Sequence, residues 1–472
     1  MARETTADLC VVGAGSGGLS VAAGAAQLGA RTVLIESGLM GGDCLNVGCV
    51  PSKSLLAAGH AAAAARDGGA FGVVAGGEVD VDAVRLRAHV ADVIAGIAPH
   101  DSQERFEGLG VNVVRGRARF VDGSTVAVDD LRIRARRFVV ATGSRPLVPA
   151  IPGLAETPHL TNETIWDLVD VPDHLIVIGG GPIGAELAQA HRRLGAEVTV
   201  LEAARLLPRD DAELTAFVRA ALERDGVALR EGATADEVRS TGTGVEVAFT
   251  GGGERRLVTG SHLLVAVGRL PNVEDMGLEA AGVAFDRDGI EVDRRLRTGN
   301  RRIYAVGDVA GGPQFTHVAG HHAGIVIQNA LFRVPAKVSP LLPAVTYTDP
   351  ELARVGADPE AAAAEGCELI RVPYSGTDRA RAERRTEGLL KLAVDRRARV
   401  KGVAIAGAQA GELLMPWLLM MQGKAPLKAM ASLVAPYPTL SELNKRAASQ
   451  YYAPRLFSPR VRRLVRLLGW LG

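Results

Sequence analysis

A short apolar run, a glycine turn, an alanine-rich stretch and a second apolar run occur twice in this chain. Residues 9–36 read LCVVGAGSGGLSVAAGAAQLGARTVLIE, and residues 175–202 read LIVIGGGPIGAELAQAHRRLGAEVTVLE. The segments align without a gap. Each predicts a strand, a tight turn, a helix and a β-branched strand that ends in Glu. Two later stretches also resemble each other. FVVATGSRP (138–146) and LLVAVGRLPN (263–272) each predict a buried strand that runs into a Gly-containing turn before Pro. A further stretch, RRIYAVGDVAGGPQFTHVAGHHAG (301–324), predicts strand, Gly-Asp, loop and helix, with the helix starting near Thr316.

The repeated turn is G-x-G-x-x-G. Its members are Gly13, Gly15 and Gly18 with Glu36, then Gly179, Gly181 and Gly184 with Glu202. Each set follows a predicted strand, opens a predicted helix and has an acid about 20 residues on, the full dinucleotide fingerprint. Glycines let backbone amides approach a pyrophosphate, and the helix N-terminus adds its dipole. The Glu accepts from a ribose hydroxyl. Two nucleotide-binding modules are therefore expected, for two different dinucleotides. Asp308 stands at a strand end, where a carboxylate can hold a polyol chain. The helix near Thr316 can aim its N-terminus at an electron-rich ring.

The 472 residues exceed one ordinary domain, and about three are expected. A net charge of +1 gives no global basic field, so nucleic acid is not an expected partner. No apolar run approaches the roughly 18 residues of a membrane helix. The start, MARETTADLCVVGAG, lacks a basic region followed by an apolar one, and a cytoplasmic location is expected.

Two of the four cysteines lie in GGDCLNVGCVPSK, residues 41–53. Cytoplasmic cysteine pairs are metal-binding, catalytic or redox-sensing more often than structural. No second pair exists to complete a zinc site.

Taken together, the chain resembles the flavoprotein disulfide reductases, the family of dihydrolipoamide dehydrogenase, glutathione reductase and mercuric reductase. The resemblance runs from Leu9 to about Phe457. It rests on both fingerprints, GGDCLNVGCVPSK, ATGSRP, AVGRLPN, YAVGDV and YPTLSE (437–442). It implies an α/β fold with two Rossmann-like domains and a C-terminal α+β dimerisation domain. The expected segments are 1–150 and 271–338 for FAD, 151–270 for NAD(P), and 339–472 for the dimer interface with a basic tail. It implies a homodimer, FAD, and NADH or NADPH.

The resemblance also implies a redox-active disulfide between Cys44 and Cys49. On one regular helix, residues i and i+5 rise about 7.5 Å apart. A disulfide needs Cα atoms within about 4.4–6.8 Å. The backbone must therefore bend between them, and Asn46-Val47-Gly48 offers the bend. So short a loop gains little unfolded-state entropy, which suits a working bridge rather than a staple. The family pattern assigns Cys49 to the flavin side and Cys44 to the acceptor. It pairs Lys53 with Glu186. It gives Glu36, Thr142, Gly143, Asp308 and Thr316 to FAD, and Glu202 and Gly268, with the second glycine set, to NAD(P). Glu202 disfavours a 2′-phosphate, and Arg205 can soften that preference. Cys10, Cys367, His321 and His322 read as structural.

The chain departs from the family at one position. Disulfide-reducing members carry an acid–base His before Pro-Thr, reaching in from the other subunit, with a Glu to orient it. Here the match is Tyr437, followed by Pro438 and Thr439, with Glu442 present. A Tyr titrates near 10 and a His near 6.5, so Tyr is a poor proton shuttle at neutral pH. Mercuric reductases also lack that His, but they carry a terminal cysteine pair, and this chain has no cysteine after Cys367. The expected acceptor is a soft metal ion such as Hg(II) or Cu(II), bound transiently at Cys44 and Cys49, or an electrophile. The alternatives are a dihydrolipoamide-dehydrogenase-type disulfide reductase and a flavoprotein redox sensor. The tail SPRVRRLVRLLGWLG reads as a packed helix with solvated arginines, and membrane contact is not expected of it.

Overall fold

The computed structural model describes residues 3–74 and 79–470. It forms two compact units. One comprises the chain up to Ala204 together with Val227–Ser339, and the other comprises Arg205–Gly226 with Pro340 onward.

The first unit holds a seven-stranded and a four-stranded sheet. In the larger sheet, Arg3–Val12 lies between Thr32–Glu36 and Leu131–Val140, all parallel, with Val11 opposite Leu34 and Val139. Its side chains alternate between two cores. Leu9 and Val11 join Leu34 and Val139 on one face, while Cys10 and Val12 join Val33, Ile35, Phe138 and Val140 on the other. A strand covered on both faces needs no polar alternation, which is why the sequence there is a continuous apolar run. Cys10 is fully buried in that layer.

Opposite Arg3–Val12, the other edge of Leu131–Val140 has two partners. Its start pairs antiparallel with Thr125–Val128, and its end pairs parallel with Ile303–Ala305. Residues 301–324 thereby return to the first nucleotide module. In the smaller sheet, His174–Ile178 lies parallel between Glu197–Glu202 and His262–Val265, with Ala228–Glu231 beyond. The two similar endings noted above are also partners. Ser144–Pro146 and Arg269–Pro271 form an antiparallel ribbon, with Pro146 opposite Arg269.

The second unit is built on a five-stranded antiparallel sheet. Trp417, Tyr374, Leu390, Ile405, Leu443 and Tyr451 fill its core. The helix Ala212–Asp225 belongs to this unit, although in sequence it falls within segment 151–270. An ion cluster around a buried lysine ties it to the sheet. Lys391, 1% exposed, binds Asp211 at 2.8 Å, Glu213 at 2.8 Å and Glu360 at 2.7 Å. Asp211 also caps the helix, accepting from the amides of Glu213 and Leu214.

The C-terminal helix Pro459–Leu468 corrects the expectation of a packed tail. None of its residues is buried, and its apolar side chains are largely open. The tail's last two residues, 471 and 472, lie outside the described residues.

Candidate active site

The cysteine segment breaks where the bend was required. One short helix spans Gly42–Asn46 and the next spans Cys49–Asp67, with Val47 and Gly48 between them. Gly48 is dictated by proximity. A Cβ there would lie 2.8 Å from Asp43 Oδ2 and 3.2 Å from Cys44 Cα. The Asn46 side chain secures the turn by donating to the carbonyls of Met40 (3.0 Å) and Gly42 (2.8 Å).

Cys44 and Cys49 are both free cysteines in this structure. Their titrations are driven apart. A hydrogen bond from Cys44 lowers the Cys49 thiol to about 6, helped by the Thr316 hydroxyl and the Lys53 charge, against burial and the charge of Asp43. Cys44 is pushed far above its ordinary value, first by that same shared hydrogen bond and then by burial. The shared hydrogen bond thus favours the thiolate at Cys49 over Cys44. Thr316 Oγ1 lies 3.4 Å from Cys49 Sγ, at the start of the helix Thr316–Ile327. The Thr316 hydroxyl and that of Ser16, inside the first glycine fingerprint, oppose the rise in Cys44.

Several elements converge on this pair. Lys53 lies one turn into the helix that Cys49 opens, and its Nζ donates to Glu186 Oε2 at 2.7 Å. Glu186 stands on the helix Pro182–Arg193 of the second nucleotide module and is 7% exposed. The same two helices touch at Gly59 and Ala190, where a Cβ on Gly59 would meet the Ala190 backbone at 3.4 Å.

A polar chain absent from the sequence reading runs from the cysteine loop to Asp308. Arg269, 10% exposed, reaches Asp43 Oδ1 at 3.1 Å. Its Nε donates to Ser144 Oγ at 2.8 Å, and Ser144 Oγ donates to Asp308 Oδ2 at 2.5 Å. Burial raises the Asp308 carboxyl, with Ser144 and Arg269 opposing. Asn162 donates to Asp43 at 3.4 Å, and the Trp166 indole donates to the Val47 carbonyl at 3.0 Å. Asp43, Ser144, Arg269 and Asp308 each lie in a quoted motif, but nothing in those motifs links one to another. Asn162 and Trp166 come from a connecting segment without any signature.

The two nucleotide modules share one local geometry. Gly13 and Gly179 sit at φ 103° and 111°. A Cβ on Gly18 would lie 1.8 Å from the Gly13 carbonyl oxygen, and one on Gly184 would lie 1.9 Å from that of Gly179. Glu36 accepts from the amides of Ala14 (2.6 Å) and Gly38 (2.6 Å), and Glu202 from those of Gly180 (2.6 Å) and Ala204 (2.8 Å). Arg205 is engaged with the carbonyls of Leu207, Pro208 and Asp210. The helices that begin after Gly15 and Gly181 have no side-chain cap and no acid in the first turn. Their leading amides and dipoles are set for a phosphate, so the residues present fit a dinucleotide at each turn. Thr142 and Gly143 are tied to Asn272: the Thr142 hydroxyl donates to its carbonyl at 2.8 Å, and its amide donates to the Gly143 carbonyl at 3.0 Å. Gly268 sits at φ 143° at the head of the 144–146/269–271 ribbon, its carbonyl accepting from the Leu147 amide at 2.9 Å.

The remaining expected residues divide by role. Tyr437 is 69% exposed, and its hydroxyl donates to Asp378 at 2.8 Å. That bond raises the phenol above its ordinary value. Glu442, expected to orient a ring at position 437, has Arg446 at 3.9 Å and one buried carboxylate oxygen without a hydrogen-bond partner. His321 and His322 accept from the Ser339 and Gly307 amides, and burial lowers His322 to about 4. Both therefore act as neutral acceptors. Among the described residues, no cluster of three or more His, Cys, Asp or Glu side chains is placed to hold a metal ion.

Comparison with known proteins agrees over almost the whole chain. The family described as pyridine nucleotide-disulphide oxidoreductase matches residues 7–323, and its dimerisation domain matches residues 342–448. The mercuric reductase of Lysinibacillus sphaericus is 36% identical over 453 residues, covering 94% of this chain and 83% of that protein. The dihydrolipoyl dehydrogenase of Bacillus subtilis is 35% identical over 457 residues, covering 93% of this chain and 95% of that protein. Among solved structures, the Cu(II) complex of the HOCl-induced flavoprotein disulfide reductase RclA from Escherichia coli has a TM-score of 0.83. It is 28% identical and covers 93% of this chain and 99% of that one. LpdA from Mycobacterium tuberculosis has a TM-score of 0.85 at 27% identity, covering 95% and 99%.

Proposed function

The chain belongs to the pyridine nucleotide-disulphide oxidoreductase family, and on that premise we propose that its thiol pair reduces a soft metal ion of the Hg(II) or Cu(II) type, or a comparable electrophile. It is an oxidoreductase that uses FAD and NAD(P)H and carries the family's dimerisation domain. Bound FAD would supply two-electron transfer between NAD(P)H and the cysteine pair. The first glycine turn, Glu36 and Asp308 would hold it, and the second glycine turn and Glu202 would hold NAD(P)H.

The chain's own groups do the rest. Closing the Cys44–Cys49 bond from one thiol and one thiolate releases two electrons and one proton. Two electrons reduce one Hg(II) to the element, or two Cu(II) to Cu(I). Cys44, kept as the thiol, meets the acceptor, while Cys49 is the standing thiolate that Lys53 and Thr316 stabilise. Glu186 orients Lys53. Soft thiols suit soft cations.

The observation that carries the choice of acceptor is Tyr437. A disulfide acceptor needs a proton delivered to each leaving thiolate, and a phenol tied to Asp378 and raised above its ordinary value supplies protons poorly near neutral pH. A metal ion needs none. RclA, similar over most of the chain, has been solved with Cu(II). The alternative, reduction of a dihydrolipoamide-type disulfide, has the Bacillus subtilis relative in its favour. Purified, FAD-loaded protein should oxidise NADH faster with Hg(II) or Cu(II) than with lipoamide, glutathione disulfide or quinones. The reverse order in that screen refutes the metal reading.

A further inference from the structure

We infer that the C-terminal helix Pro459–Leu468 is a docking element for an anionic lipid surface. From Leu443 to the end the chain carries Lys445, Arg446, Arg455, Arg460, Arg462, Arg463 and Arg466 and no acidic residue, although the whole chain has a net charge of only +1. Positive charge is thus concentrated at one end of the sequence.

The helix sorts that charge by face. Val461, Leu464, Val465 and Leu468 follow the i, i+3, i+4, i+7 spacing of one stripe, and Arg462, Arg463 and Arg466 occupy the opposite side. The stripe is open: Leu464 is 53% exposed, Val465 62% and Leu468 55%. It continues into exposed Leu456 and Phe457 and ends at Trp470, which is 90% exposed. Ser458 caps the helix and Pro459 opens it, so it is a built helix rather than a frayed end.

Three features select the occupant. Ten residues span about 15 Å, too short to cross a bilayer core of about 30 Å, so the helix would lie in the interface plane. An arginine-rich face, an apolar stripe and a flanking Trp match the headgroup–acyl boundary. A two-fold contact of this patch with itself would set like charges against each other, which disfavours a second copy as its cover.

The test is co-sedimentation of full-length, FAD-loaded protein with vesicles of phosphatidylcholine alone, or with one third of it replaced by phosphatidylglycerol. Binding to the anionic vesicles is expected to be about tenfold tighter or more and to weaken steeply with salt. Two variants should lose it while keeping NADH-dependent reductase activity. One ends at Ser458; the other combines Arg462→Glu, Arg463→Glu and Arg466→Glu in the full chain. Equal or absent binding to the two vesicle types overturns the inference, as does undiminished binding by the triple variant. Dissociation of a dimer on truncation also overturns it, by assigning the stripe to a second copy.

Discussion

The Lys53 ammonium and the Glu186 carboxylate meet at 2.7 Å, joining a helix of the first nucleotide module to a helix of the second. Lys53 lies one turn beyond Cys49, so the contact fixes a positive charge near the thiolate and between the two modules.

The Cys49 titration should respond in a set order. The Cys44 hydrogen bond lowers it most, then Thr316, then Lys53. Because its folded value is depressed to about 6, the reduced protein should carry the thiolate above that pH and lose it below. Cys44→Ala is expected to raise the midpoint most, Thr316→Val less and Lys53→Met least, the last two by about one unit or less. The pH dependence of the long-wavelength absorbance of reduced, FAD-loaded protein measures this. An unchanged midpoint in Cys44→Ala contradicts the geometry.

The two cysteines should be inequivalent. Cys49→Ser is expected to abolish that long-wavelength band, and Cys44→Ser to retain a thiolate that produces it. Both should cost acceptor reduction about 100-fold or more, since each is half of the dithiol. Identical spectra for the two variants would exchange or erase the assigned roles.

NADH should be preferred over NADPH. Glu202 is held by the Gly180 and Ala204 amides, and Arg205 is occupied by carbonyls of its own loop. A 2′-phosphate therefore meets a fixed negative charge. Glu202→Ala should narrow the kcat/KM ratio of NADH to NADPH by about tenfold, mainly through KM for NADPH, the size of one like-charge contact. A wild-type preference for NADPH would reverse this reading.

Tyr437→His should favour disulfide acceptors. A positioned acid–base group is worth about 10²–10⁴ in rate. Lipoamide reduction is expected to rise toward the lower end of that range, because Glu442 has one buried oxygen free of hydrogen bonds with which to orient an imidazole. Metal reduction should stay level or fall. Steady-state rates with both acceptors, on protein shown to hold FAD, decide it.

Lys391 should govern the stability of the second unit. Lys391→Met leaves Asp211, Glu213 and Glu360 without their shared cation, and unfolding at pH 7 should become easier by about 1–3 kcal/mol, discounted for the half-exposed Glu213 and Glu360. Lys391 hydrogen-bonds Glu213 and holds its carboxyl below the usual range. That contribution is present above the unfolded carboxylate value and is lost as pH falls through the folded one. The gap between wild type and variant should therefore close in acid, as followed by thermal melts across pH.

Residues in short, local patterns were legible in the sequence. The fingerprints were read because a tight turn, a close backbone approach and an uncapped helix start restrict residue choice at fixed spacing: Gly13, Gly18, Gly179 and Gly184 have no room for a Cβ. The bend between Cys44 and Cys49 followed from helix geometry together with the pairing that the family resemblance implied. The tertiary structure decided what spacing cannot encode. It paired 144–146 with 269–271, strung Asp43, Arg269, Ser144 and Asp308 into one chain, and brought Asn162 and Trp166 to the cysteine loop. Those contacts join residues more than 100 positions apart, and their polar side chains carry no periodicity. It also tied the first turn of the helix Ala212–Asp225 to Lys391, far along the chain, a contact that no spacing announces. Amphipathicity in the C-terminal helix was visible in the sequence. That no described residue of its own chain buries the apolar stripe was decided by the fold, since a stripe requires burial but does not name the surface that provides it.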